Sequence, residues 1–208
     1  MNRRRIVIIS VLAFLVLLFA VKPDSANIQT TPLQSKESVL AFGDSLTYGS
    51  GAHPQSYPVQ LQKLIQKEVI NAGVPGETSS RGLKRLPSLL QKYHPKLVIL
   101  CHGGNDIIRQ QSKKTLKENL LKMIQMSKKI GAQVLLVGVP DFHRLGFTTD
   151  TLYEAVAKQE NVLYEGEILS KIENDPTLKS DRIHPNAKGY ALMAKAFATI
   201  LKEHKIVE

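Results

Sequence analysis

Ser45 stands in Gly43-Asp44-Ser45-Leu46, directly after the apolar run Val39-Leu40-Ala41-Phe42. Far downstream, Asp181 and His184 stand three apart in Asp181-Arg182-Ile183-His184-Pro185. A serine on a strand-to-loop turn, a carboxylate and an imidazole are the equipment of nucleophilic acyl transfer. The hydroxyl is a weak nucleophile until a base takes its proton. His184 is the candidate base, and Asp181 the group that would hold its ring in the right tautomer. Such a site also needs donors for the oxyanion that develops in the transition state. Gly76, in Gly73-Val74-Pro75-Gly76-Glu77-Thr78, can offer a backbone N–H with no side chain in the way. It lies just before an expected helix start, where free N–H groups point outward. Ser45 can add its own N–H, and Asn105, in His102-Gly103-Gly104-Asn105-Asp106, a side-chain amide.

Other residues compete for these roles. Gly73 is a rival to Gly76, although Gly76 sits closer to Glu77 and Thr78. Asp44 and Asp106 read as loop braces. Asp141 and His143 form a rival pair whose better reading is contact with substrate; His53, His94 and His204 have no matching partner set. Cys101 ends the run Leu97-Val98-Ile99-Leu100 and reads as a buried strand thiol. A lone cysteine excludes an intrachain disulfide framework and a cysteine-based zinc cluster. No grouping of residues suggests a metal, and no cofactor is expected.

The elements that must position these groups alternate. Strands are expected at Val39 to Phe42, Val69 to Ala72, Leu97 to Cys101, Val134 to Val137 and Asn161 to Tyr164. Between them, Tyr57, Leu61, Leu64 and Ile65 fit one helical face, as do Leu83, Leu86, Leu90 and Tyr93. Thr78 or Ser79 could cap the latter helix, and Pro87 should bend or divide it. A longer helix is expected over Ser112 to Ile130, with Leu116, Leu120, Met123, Ile124 and Ser127 inward and Gly131 as its stop. Thr151 to Gln159 and Asn186 to His204 read as further helices, the last with Tyr190, Met193, Ala194, Phe197, Ile200 and Leu201 inward. This order calls for a parallel sheet with helices on both faces. Sites in such sheets lie beyond the carboxyl ends of the strands. Ser45, the Gly76 loop and the Asn105 loop all fall there.

The chain has 208 residues and a formal net charge of +10. The basic residues are scattered and aromatics are few, so no nucleic-acid partner is expected. Three arginines, Arg3 to Arg5, precede the run Ile6 to Val21, whose only polar member is Ser10. As a helix this run would span about 24 Å, short of the hydrocarbon core yet slightly long for a signal-peptide core. Residues 1–22 are therefore read as an N-terminal membrane anchor, with a cleaved signal as the alternative. Either way the arginines would stay in the cytoplasm and the remainder would be exported. Residues 23–37, with Pro23, Pro32 and no apolar period, read as a linker, and 38–208 as the folded domain.

The four blocks, Gly43-Asp44-Ser45-Leu46, the Gly76 loop, Gly104-Asn105-Asp106 and Asp181-x-x-His184, together resemble the SGNH (GDSL-type) hydrolases. The stretch from Asn71-Ala72 through Gly76-Glu77-Thr78-Ser79 to Gly82-Leu83-x-Arg85-Leu86-Pro87 is similar to the bacterial thioesterase I, lysophospholipase L1 and arylesterase branch. The resemblance implies a flavodoxin-like three-layer α/β/α sandwich with a mainly parallel five-stranded sheet. It implies Ser45 as nucleophile, His184 as base, Asp181 as orienter, and Ser45, Gly76 and Asn105 as the oxyanion hole. A small-molecule or lipid acyl ester is the expected substrate, and no protein partner is expected. A carbohydrate esterase removing acetyl groups is the alternative enzyme. A membrane-tethered, non-catalytic binding domain is the alternative of another class.

Overall fold

In a computed structural model, residues 28–141 and 146–208 are described. Five short strands form one sheet: β1 (Val39–Gly43), β2 (Val69–Gly73), β3 (Leu97–Cys101), β4 (Gln133–Val137) and β5 (Leu163–Glu165). Every residue of β1 and β3 is buried. Strands covered on both faces read as unbroken apolar runs, and these do. All pairings are parallel, in the order β2-β1-β3-β4-β5. This is the flavodoxin-like order, whose ligand crevice opens between β1 and β3, where the winding reverses.

Parallel neighbours need long crossovers, and helices supply them. The helices α2 (Tyr57–Ile65), α3 (Ser79–Tyr93), α5 (Lys113–Lys129) and α6 (Thr151–Glu160) are those crossovers. Right-handed connections put α2 on one face and, after the winding reverses, α3, α5 and α6 on the other. The contacts agree: α3 packs on α5 and α5 on α6, while α2 packs on the last helix, α8 (Ala187–Glu203). Tyr57 of α2 meets Phe197 of α8 edge to face, with ring centroids 5.1 Å apart. Gly131, at φ +80°, ends the α5 segment in the left-handed conformation expected of a stop.

The structure departs from the sequence reading in several places. Three short helices went unforeseen: α1 (Ser45–Tyr48), α4 (Gly104–Ile108) and α7 (Ile168–Glu173). Each is only a turn or so long and carries too few residues to show a period. Leu64 is not inward but 47% exposed. Helix α3 is not divided at Pro87: the proline is exposed, so the carbonyl it leaves without a partner can be solvated. Thr78 occupies the capping position of α3 without a capping bond; Asp106 takes the Ser79 N–H instead, at 2.8 Å. Residues 28–37, expected as linker, are fastened to the body. Leu33 is buried, its N–H donates to the Ile206 carbonyl, and Gln133 bonds both the N–H and the carbonyl of Thr31. The membrane segment expected over residues 6–21, and His143 of the rival pair, lie outside the described residues.

Gly43 closes β1 with no room for a side chain. A Cβ there would collide with the Cys101 carbonyl oxygen and with Thr47 Oγ1. The oxygen is backbone of the neighbouring strand and cannot swing away. Gly43→Ala should therefore destabilise the protein by about 1–3 kcal/mol, as overpacking does. Its thermal midpoint should drop by about 2–4 °C for each kcal/mol, which calorimetry would read.

Candidate active site

Four segments converge beyond the carboxyl ends of the strands. Ser45 is the first residue of α1, two residues past the end of β1. Asp44 caps that helix, its carboxylate accepting the Leu46 N–H at 3.1 Å. This fixes the turn on which Ser45 projects. The loop after α7 brings the other two side chains. His184 Nε2 lies 3.1 Å from Ser45 Oγ, across 139 residues of sequence. His184 Nδ1 lies 2.7 Å from Asp181 Oδ2. The other carboxylate oxygen of Asp181 accepts the N–H groups of Ile183 and His184, each at 2.9 Å. With Nδ1–H donated to Asp181, Nε2 is left as an acceptor toward the serine hydroxyl. Some burial works against the Asp181 charge, but the two N–H groups and the imidazole outweigh it and hold its pKa below the usual carboxylate value.

The loop that presents this pair is itself braced. Ser180 N–H donates to the His184 carbonyl at 2.9 Å, closing the segment on itself. Asn186 caps α8 with its carbonyl oxygen and bonds Thr177 and Lys179 with its amide. Beneath the loop, Lys179 pairs with the buried carboxylate of Glu173 at 2.6 Å.

The candidate oxyanion donors sit on the two neighbouring loops. Gly76 is left-handed at φ +74°, a conformation that favours glycine. Among the described residues its N–H has no backbone acceptor, and Arg109 holds its carbonyl at 3.1 Å. Asn105 is not a free amide. Its Nδ2 donates to Asp44 Oδ2 at 3.2 Å and to the Glu77 carbonyl at 3.1 Å. The Asn105 amide is thereby held between the β1 and β2 loops. Gly73, the rival donor, is the last residue of β2, and its N–H bonds the Asn71 side chain at 3.0 Å.

Asp44 and Asp106 brace the surroundings. Asp44 is buried, which pushes its pKa up against the opposing pull of His102, Leu46 N–H, Asn105 and His184. Asp106 grips Ser79 through both its N–H and its hydroxyl, and Asn119 adds a bond to the same hydroxyl. Cys101 is buried and unpaired, and burial pushes its thiol pKa well up, so it is no nucleophile at neutral pH. Asp141 lies beside Lys113, with Nζ and Oδ2 3.1 Å apart.

A cluster next to the candidate donors was not singled out from sequence: the buried Glu77 and His102 with the partly exposed Arg85. Arg85 binds the Glu77 carboxylate with Nε at 3.0 Å and Nη2 at 2.6 Å, and His102 Nε2 lies 3.3 Å from it. Burial works against the Glu77 charge, but His102 and Arg85 overcome it and lower its pKa to about 2. The stability that these bonds confer is complete above the ordinary value of 4.5 and is lost as the pH falls toward about 2. Nothing in the local spacing of the three residues announces the cluster. Among the described residues, no group of three or more acidic, histidine or cysteine side chains could hold a metal.

Comparison with known proteins gives the same family by independent routes. Residues 41–192 match the GDSL-like Lipase/Acylhydrolase family. The chain is 33% identical to Esterase TesA of Pseudomonas aeruginosa over 171 residues, covering 77% of this chain and 85% of that protein. It is 29% identical to Thioesterase 1/protease 1/lysophospholipase L1 of Escherichia coli K12 over 174 residues, covering 80% and 84%. The crystal structure of the psychrotrophic esterase EstA from a Pseudoalteromonas species, inhibited by monoethylphosphonate, superposes with a TM-score of 0.72 at 25% identity, covering 80% of this chain and 97% of that one. With the family model spanning most of the chain, the protein belongs to the GDSL-like lipase/acylhydrolase (SGNH hydrolase) family and is a carboxylic ester hydrolase.

Proposed function

We propose that this protein hydrolyses acyl esters, with thioesters and lysophospholipids within its range, through Ser45, His184 and Asp181 and an acyl-enzyme intermediate. One observation carries the reading: the unbroken contact from Ser45 Oγ to His184 Nε2 to Asp181, at 3.1 and 2.7 Å. His184 takes the Ser45 proton as Oγ attacks the acyl carbon. Charge moves onto the carbonyl oxygen, which the N–H groups of Ser45 and Gly76 and the amide of Asn105 receive. Asn105 would share a hydrogen already given to Asp44 or Glu77. The C–O or C–S bond then breaks, and the alcohol or thiol leaves with the proton from His184. Water, giving its proton to the same imidazole, attacks the acyl carbon; the acid departs and Ser45 recovers its hydrogen. Asp181 keeps the ring oriented and stabilises the imidazolium that forms.

The names of the relatives support the substrate class: an esterase in Pseudomonas aeruginosa, and a thioesterase and lysophospholipase in Escherichia coli. We also read residues 6–21 as the anchor of an exported enzyme, on the strength of the flanking arginines. The full chain should stay with membranes after a high-salt wash; its recovery in the soluble fraction, uncleaved, would refute the anchor.

Ser45→Ala should lower kcat by about a millionfold, the scale on which removing such a nucleophile acts, with the fold unchanged. Wild type should react with one equivalent of an ethylphosphonate and the variant with none. Across chromogenic esters from acetyl to long-chain acyl, beside lysophospholipid and an acetylated glycan, acyl chains of several carbons should be preferred. Exclusive deacetylation of the glycan would replace this reading with a carbohydrate esterase. Activity should also fall in acid, because a protonated His184 cannot accept the serine proton. Asp181, held below its ordinary pKa, stays ionised through that fall. A profile of kcat/KM against pH should show that acid limb.

A further inference from the structure

We propose that His102 is a positioning residue for this reaction. Its imidazole ties the Gly76–Glu77 turn to the Gly103–Asn105 turn and so sets the alignment of the oxyanion donors. The inference rests on the function proposed above.

His102 is fully buried and follows β3 directly. Its Nδ1 accepts the Gly103 N–H at 3.0 Å. The proton of the neutral ring therefore sits on Nε2, which donates to Glu77 Oε2 at 3.3 Å. Glu77 immediately follows Gly76, and its carbonyl accepts Asn105 Nδ2 at 3.1 Å. A closed circuit results. The His102 ring holds the Glu77 side chain, the Glu77 main chain holds the Asn105 amide, and Asn105 is three residues on from His102. The two loops that carry the donors are joined twice, once by each histidine-to-asparagine end of the β3 loop.

The rest of the cluster fixes this circuit to the scaffold. Arg85 neutralises Glu77 and donates to the Ala72 carbonyl at 3.0 Å, with its guanidinium 4.5 Å over the Phe42 ring. Tyr153 donates its hydroxyl hydrogen to the His102 carbonyl at 2.9 Å. Helix α3 comes so close that a Cβ on Gly82 would collide with His102 Nε2. The ring thus has one position and one neutral tautomer. An apolar side chain here would leave the buried Gly103 N–H without its acceptor and the buried Glu77 with one donor fewer. The loops would then relax relative to each other, and small displacements of positioned groups are costly in rate.

The test compares His102→Leu with His102→Gln, whose amide N–H reaches the position of Nε2. Steady-state kinetics on a short-chain ester and the rate of phosphonate inactivation are measured on protein whose fold is checked by circular dichroism. In His102→Leu, kcat and the inactivation rate should fall together by about tenfold to a hundredfold, with KM changed by less than about threefold. His102→Gln should recover most of that loss. A folded Leu variant with kcat near wild type, or a Gln variant as impaired as Leu, overturns the proposal. If His102→Leu does not fold, Glu77→Gln is judged by the same kcat and KM criteria. A wild type that resists the phosphonate, or a Ser45→Ala enzyme that still turns over, shows instead that the serine reading has failed, and this inference falls with it.

Discussion

The site depends on three parallel strands ending at one level. Gly43 of β1 lies opposite Gly73 of β2 on one side and Cys101 of β3 on the other. Because this register is shared, the turns carrying Ser45, Gly76 and Asn105 leave the sheet side by side. Glycine at the end of β1 is part of that constraint, since the neighbouring carbonyl of Cys101 fills the space that a side chain would need. A slip of one residue in either ladder would turn side chains to the opposite face and pull the three turns out of line.

Around this frame the protein buries four carboxyl groups, each against a named partner. Asp44 faces the Leu46 N–H and Asn105, Glu77 faces Arg85 and His102, Asp106 faces Ser79, and Glu173 faces Lys179. Buried polar groups are tolerable only when their bonds are made, and a fully bonded set has little freedom to move. The proposed base and the carboxylate that orients it are placed differently. Asp181 is about half exposed and His184 lies near the surface. The imidazole is open to solvent, while the Gly76 and Asn105 loops are tied together by the Asn105 amide and the Glu77 carbonyl.

Much of the architecture was legible because it is repetitive. Buried parallel strands are short apolar runs, and the α5 stripe from Leu116 to Ser127 is buried as its period implies. What escaped was short or depended on distant neighbours. Helix α4 begins at Gly104, inside a motif that reads as a loop. Leu64 fits the apolar face of α2 by spacing, yet it is left about half exposed. Leu33 lies in a proline-containing stretch with no period and is nevertheless buried, because the chain end around Ile206 meets it. The contacts of His102 were hidden because they involve Glu77, 25 positions earlier, and through it Arg85, inside α3.

From the amino-acid order alone came the fold class, the family resemblance and the residue types that could carry acyl transfer, since these follow from local runs, spacing and functional groups. Which donors are already occupied, which carboxylate is buried and which imidazole nitrogen faces the serine are matters of distance between segments remote in the chain. Hydrogen bonds and desolvation act over a few ångströms of space, so only the closed sheet, with its crossovers packed on both faces, decided them.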